Sequence, residues 1–471
     1  MTEAKTPTVS WALVSLSLSM LLSSFGTSIA NVALPTLTQV FTASFQSVQW
    51  VVLAYLLANT TLIVSVGRLG DIMGRRRLLL GGILLFSLAS AACALAPSLW
   101  SLVAARAIQG LGAAVMMALS LALVAETVPK ARTGSAMGLL GTMSAVGTAL
   151  GPSLGGILIT GFGWRSIFLA KVLLGAVALL LAYGCLPAAS ATRKPGTTRF
   201  DIAGTVVLAL TLGAYALAMT SGRGNFGSRN IALLCGALAG AGLFLLVESK
   251  AASPLIRLST FRNPALSAGF VMSALVSTVL MATLVVGPFY LSLALGLDAA
   301  SVGIVMSSGP VVAALTGVPA GRIVDRYGTH RMILIGLAGI TLGSLLLFLI
   351  PTAFGVAGYV LPIVLITANY ALFQAANNTA IMTDVSPDQR GALSGVLNLS
   401  RNLGLITGAS VMGAVFTLAS GAKQIQTAHA EAVAMGMRIT FLVAAVLIGV
   451  ALAIAFASDA PASRRVMRAE K

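Results

Sequence analysis

Acid is what this chain is short of. Its 471 residues include only 12 Asp and Glu against 29 Lys and Arg, and charged residues of both signs make up 9% of the total. Histidine occurs twice and cysteine three times. Cys93, Cys185 and Cys235 are odd in number and lack ligand spacing, so neither a disulfide framework nor a metal centre is expected, and they read as packing residues. No GxxxxGK followed by Ser or Thr occurs, which excludes an ATP-hydrolysing engine in this sequence. With no catalytic constellation and no cofactor motif, the chain reads as a non-enzyme that needs no cofactor. Any work it does must draw on a gradient or on a partner.

What is abundant is apolar surface. Hydrophobic residues make up 58% of the chain, and runs of about 20 of them recur, each long enough to cross about 30 Å of hydrocarbon as a helix. Fourteen such runs are expected, centred near residues 22, 58, 88, 111, 147, 175, 210, 239, 276, 310, 341, 367, 404 and 446. The fold class is therefore an all-α polytopic membrane protein. Most Lys and Arg fall on one side if both termini are cytoplasmic, as short cytoplasmic loops prefer. The formal net charge of +17 then reads as a topogenic, lipid-facing signal rather than a nucleic-acid surface. The span from Trp11 to Leu34 is too long for a cleaved signal and is expected to stay as the first helix.

The chain repeats itself. GRLGDIMGRRR, Gly67 to Arg77, returns about 254 residues later as GRIVDRYGTHR, Gly321 to Arg331. Gly134, Gly138, Gly147 and Gly151 likewise return at an offset of 257 as Gly391, Gly395, Gly404 and Gly408. Two six-helix bundles related by pseudo-two-fold symmetry follow, at 10–187 and 264–457. Residues 188–263 are a linker with two inserted transmembrane helices, and 458–471 are a cytoplasmic tail. Parallel six-helix repeats suit a transporter that rocks about a site near the bilayer midplane.

Four motifs carry a resemblance: Gly67 to Arg77; RAIQGLG, Arg106 to Gly112; GTALGPSLGG, Gly147 to Gly156; and NVALP, Asn31 to Pro35. With them the chain resembles the major facilitator superfamily, and within it the fourteen-helix drug/proton antiporter branch, whose members include tetracycline and quaternary-ammonium exporters. The resemblance implies a gating loop at Gly67, Arg68, Asp71, Gly74 and Arg75, repeated at Gly321, Arg322, Asp325 and Arg326. It implies proton coupling through Arg106 and Gln109, and an antiporter motif at Gly147, Gly151, Pro152, Gly155 and Gly156. Glycines at intervals of four share one helix face and let backbones touch, while Pro152 bends its helix. Asp71 and Asp325 are expected to act as paired latches, each facing a helix N-terminus in the opposite half.

Candidate substrate-cavity residues are the polar and aromatic side chains left inside the membrane. They are Asn31, Tyr55 and Asn59 on the first two spans, Lys171 on the sixth, Tyr370, Phe373, Gln374 and Asn377 on the twelfth, and Arg401 on the thirteenth. Lys171 either snorkels to the interface or is buried, able to exchange a proton or face an anion. The branch usually has an Asp five residues before the motif's Asn, and here that place is Gly26. All twelve acids, Glu3, Asp71, Glu126, Asp201, Glu248, Asp298, Asp325, Asp384, Asp388, Glu431, Asp459 and Glu470, are expected in loops or tails.

The expected function is a secondary active exporter of amphiphilic organic compounds in the cytoplasmic (inner) membrane. Its partners are a small organic substrate, protons and membrane lipids, with a monomer favoured. The alternatives are an uptake symporter for a small anionic metabolite and a transport-inactive sensor or scaffold. The missing acids shift the expected substrates toward neutral or anionic compounds.

Overall fold

The computed structural model describes residues 6–128, 133–186, 201–220, 227–250, 263–383, 387–421, 425 and 428–469. Every regular element among them is helical. The first eight are α1 (Thr6–Val40), α2 (Phe45–Met73), α3 (Arg75–Ala94), α4 (Leu99–Thr127), α5 (Thr133–Phe162), α6 (Ser166–Cys185), α7 (Ile202–Thr220) and α8 (Ser228–Lys250). Then come α9 (Pro264–Phe289), α10 (Ala299–Met306), α11 (Ser308–Tyr327), α12 (Thr329–Leu349), α13 (Gly355–Thr383), α14 (Pro387–Thr407), α15 (Gly413–Ala419) and α16 (Ala430–Ala469). Stretches of π-helix extend α9 over Tyr290–Ala294 and join α14 to α15 over Gly408–Met412. With α10–α11 and α14–α15 each taken as one crossing, the helices make the fourteen spans that the apolar runs predict.

Among the described residues, twelve of the spans are both long and apolar enough to cross a membrane. The other two are α2 and α5, which have the length, 29 and 30 residues.

The helices form two compact units, one built from α1–α8 with α10 and the other from α9 with α11–α16. Within each, the repeated glycines are where backbones meet. A Cβ at Gly147 or Gly151 would strike Leu21 or Ser28 of α1. In the second unit, a Cβ at Gly404 or Gly408 would strike Ala274 or Thr278 of α9. Lipid supplies no hydrophobic drive between helices, so close contact of this kind has to come from small side chains.

The two charged repeats differ from the expected loops. Each is a corner one residue long: Gly74 between α2 and α3 at φ +88°, and Gly328 between α11 and α12 at φ +86°. Only glycine reaches that region without strain. Each corner is closed alike, Gly74 N donating to Gly70 O and Gly328 N to Val324 O, both at 2.9 Å. Arg68, Asp71, Arg322, Asp325 and Arg326 consequently sit on helical backbone. An apolar run marks the part of a helix inside hydrocarbon, and the hydrogen-bonded backbone continues past it into the interface.

The same physics corrects the placement of several other acids. Glu248 lies in α8 and is 2% exposed, while Glu126 and Glu431 are on α4 and α16. Asp298 is a true loop acid and the N-cap of α10, its carboxylate accepting from Ser301 N at 3.2 Å. The hydrogen bonds to Ser301 hold this carboxyl below the usual range.

Candidate functional site

Arg106 lies seven residues into α4 and is completely buried. Its Nε donates to the Val51 carbonyl of α2 at 2.9 Å, and its Nη1 to the Gly26 carbonyl of α1 at 3.0 Å. Nη1 also donates to the Gln109 side-chain oxygen, one turn along α4, and the Gln109 amide nitrogen donates to Ser90 Oγ on α3. The guanidinium stacks 4.3 Å above the Tyr55 ring, whose hydroxyl donates to Ser23 O at 2.8 Å. Arg106 thus ties α4 to α1 and α2, and Gln109 ties it to α3. A planar guanidinium holds its five donors in one rigid fork, so Nε and Nη1 reach carbonyls on two helices in a fixed geometry.

Glycine makes this reach possible. A Cβ at Gly110 would collide with the Tyr55 carbonyl oxygen, and one at Gly112 would stand 2.8 Å from Gly82 O and Phe86 N. The RAIQGLG stretch therefore combines a polar anchor with the small residues that bring α2 and α3 within its range. Gly26, where the resemblance expects an Asp, supplies a carbonyl to Arg106 in place of a carboxylate. A Cβ there would stand 3.1 Å from Tyr55 Oη and 3.2 Å from the Phe86 ring.

Among the described residues of this unit, Lys171 is the other fully buried cation. It lies five residues into α6, with Nζ 4.4 Å from the Phe168 ring centroid and no hydrogen-bond acceptor. Its electrostatic neighbours are Arg106 and Cys93. Of the two alternatives for Lys171, burial is the one the fold adopts. One further donor of Arg106, Nη2, also lacks an acceptor.

The antiporter stretch has two faces. Gly147, Gly151 and Gly155 pack on α1, Gly155 against Ile29 and Val32. Gly156 and Pro152 turn to α10, where the Pro152 carbonyl and Gly156 Cα meet Gly303. At the matching place in the second unit, an offset of 257 takes Gly151–Gly155 onto Gly408–Met412, the π-helical stretch. The equivalent stretches thus differ: α5 carries Pro152, which lacks a backbone N–H, within a continuous helix, while the second unit turns π-helical.

In the second unit Arg401 of α14 donates from Nη2 to Tyr370 Oη of α13 at 3.3 Å. With the Gln374 amide in the orientation that satisfies both neighbours, its oxygen accepts from Arg401 Nη1 at 2.9 Å and its nitrogen donates to Tyr370 Oη at 3.2 Å. Three candidate cavity residues therefore form one half-buried cluster. Asn377 is buried and donates to Gly269 O of α9 at 3.1 Å, and Phe373 is buried against Gly336 of α12. Asn31 and Asn59 are buried in the first unit, each with its side-chain oxygen unpartnered. The side chains of Arg68 and Asp71 lie outside the described residues, as do those of 382–392, so the Asp71 latch falls there too. Arg75 is half-buried, and Arg322, Asp325 and Arg326 are exposed.

Ser90, Cys93 and the carbonyls of Gly26 and Val51 were not among the expected site residues. A carbonyl acceptor leaves no trace in sequence, because every residue has one. Ser90 carries a weak signal, a hydroxyl in an otherwise apolar span.

Two repeated helical units with glycine-lined crossings, one of them holding a buried, carbonyl-anchored Arg106, define a multi-pass membrane transporter. The chain belongs to the major facilitator superfamily, whose family model matches residues 16–409. It is similar to the multidrug resistance protein Stp of Mycobacterium tuberculosis, at 32% identity over 398 residues covering 82% of this chain and 72% of that one. It is also similar to the riboflavin transporter RibZ of Clostridioides difficile, at 28% identity covering 92% and 94% of the two chains. Among solved structures, a bacterial homologue of the lysosomal transporter Spinster shares the fold at a TM-score of 0.70 and 18% identity, covering 97% of this chain and 98% of that one.

Proposed function

We propose that this secondary transporter exports amphiphilic organic compounds by alternating access. It does so from the cytoplasmic membrane, with both termini in the cytoplasm and an inward proton gradient as the driving force. The observation that carries the export reading is the likeness to a multidrug resistance protein over 82% of the chain. The motif Gly147–Gly156 supports it, with one face on α1 and the other on α10. Arg106 and Gln109 are the coupling elements, since together they bridge four helices. Tyr370, Gln374 and Arg401 contribute amide, phenol and cation to substrate recognition, with Asn31, Asn59 and Asn377 nearby in their own units. Residues 188–263 remain the linker that adds two helices to the twelve-helix plan.

A second reading, uptake of a small metabolite together with a proton, is favoured by one observation: the likeness to a riboflavin transporter along 92% of the chain. Counterflow in proteoliposomes with ethidium, riboflavin and carboxyfluorescein tests both, with and without a pH gradient. Export predicts that an inward proton gradient drives a dye out against its own gradient. Accumulation in the same direction as the protons selects uptake, and no movement in any mode selects a sensor or scaffold.

A further inference from the structure

A proton-coupled carrier needs a side chain that gains and loses a proton inside the membrane. In the first unit, no described Asp, Glu or histidine lies in the middle of a helix. α1 and α5 contain no titratable side chain over their whole helical length, and neither histidine belongs to this unit. The Asp and Glu of α2, α4 and α8, Asp71, Glu126 and the buried Glu248, lie within the last three residues of their helices, and Asp201 precedes α7. Arg106 cannot serve, because a guanidinium does not give up its proton in a protein. The Tyr55 hydroxyl is engaged with Ser23 O.

Lys171 remains. Its position between α1 and α3 is fully closed from the surface, yet nothing accepts a hydrogen bond from Nζ. Packing of its helix makes that closure firm: one turn along, a Cβ at Gly175 would overlap the Ser87 hydroxyl of α3. The groups facing the amine are Cys93 from α3 and Arg106 from α4, with the Phe168 ring from α6 itself. No carboxylate is among them. A lysine kept solely for charge would find an acceptor or reach the interface, and this one does neither. Unlike arginine, lysine can shed its proton when desolvated, which is why buried lysines serve as bases.

We propose that Lys171 is the proton-carrying group of the transport cycle, in place of the first-helix carboxylate whose position Gly26 occupies. Its amine takes a proton from water on one side, forming an N–H bond. That bond breaks to water when the site opens to the other side, so the cycle balances with no other reactant. The proposal rests on the proton-coupled transporter reading.

Its test separates the two. In a potentiometric difference titration of purified full-length protein between pH 9 and pH 5, wild type takes up close to one proton more than Lys171→Gln. Superposed curves overturn the proposal whatever the protein transports. Lys171→Arg, whose charge cannot be shed, must also lack the extra proton, which guards against a misfolded Gln variant. In proteoliposomes with the same three dyes, the ratio of pH-driven accumulation to counterflow falls tenfold or more in both variants. An unchanged ratio refutes the lysine as proton carrier even if counterflow is robust. If wild type moves no dye in any mode, the transporter reading fails and the titration still decides the role of Lys171.

Discussion

Replacing Gly110 by alanine probes the anchor from one turn away. The new Cβ would lie on the Tyr55 carbonyl oxygen and 3.1 Å from Ala58 Cβ. A carbon approaches a carbonyl oxygen to about 3.3 Å at best, and backbone on the α2 side cannot rotate aside. Helix α4 must then retreat from α2 by roughly an ångström. Arg106 reaches Val51 O across this same crossing at 2.9 Å, so that bond stretches beyond about 3.5 Å and is lost. Overpacking costs about 1–3 kcal/mol, and a lost hydrogen bond to a charged group about 1.5–3 more. Alanine's better helix propensity returns about 1 kcal/mol, leaving a net loss of about 2–5 kcal/mol. Gly81→Ala on α3 meets nothing within 4 Å and should gain up to about 1 kcal/mol from propensity alone. Thermal aggregation of detergent-purified variants, followed by fluorescence-detected size exclusion, ranks the two. If Gly110→Ala and Gly81→Ala melt within about 1 °C of each other, the close crossing does not hold Arg106 in place.

Three other variants test separate parts of the structure. Arg106→Lys keeps the charge but cannot span the Val51 and Gly26 carbonyls together, so it should lower melting temperature and slow pH-driven dye movement; wild-type behaviour in both would make the guanidinium fork dispensable. Pro152→Ala should slow efflux from loaded vesicles more than it weakens dye binding, because Pro152 lies at the α5–α10 crossing, where a bend acts on the conformational step. A collapse of binding with intact turnover would move the motif into the substrate site. Asp71→Asn should reduce transport while leaving yield and membrane insertion intact, as a conformational latch predicts, and full turnover in that variant would remove the latch.

The legible part of this fold was the part that repeats. Apolar runs fixed where helices lie, since a span needs about 20 apolar residues wherever it occurs. They did not fix where helices end, and Asp71, Glu126 and Glu248 were assigned to loops for that reason. Polar residues are allowed on a helix once it leaves the hydrocarbon. The period-four glycines predicted a contact face, and Gly147 and Gly151 meet α1 as that spacing requires. The partner of Gly156 was not readable, because α10 is some 140 residues away in sequence. Arg106 was flagged as an intramembrane charge, but its acceptors are backbone carbonyls and carry no residue-type signal. The π-turn at Gly408–Met412 was hidden for a related reason: it is a choice of backbone hydrogen bonds made by ordinary side chains.

If Lys171 carries the proton, the direction of transport and the charge of the substrate are no longer independent. At an effective dielectric of about 20, unit charges 6 Å apart interact by about 3 kcal/mol, which is more than a hundredfold in affinity. A protonated Lys171 therefore excludes a cation and recruits an anion. Under an inward proton gradient, a cation whose site lies near the lysine leaves as the proton enters, whereas an anion enters with it. The multidrug-like and metabolite-uptake readings then separate by substrate charge. A preference for anions, which the missing acids alone suggest, would argue for uptake. Export of neutral compounds cannot use this repulsion and must couple through the helices that Arg106 and Gln109 bridge. On that account Gly26 is not a proton site left empty: its carbonyl anchors Arg106 on α1, while proton exchange has moved to α6, whose lysine faces the same arginine.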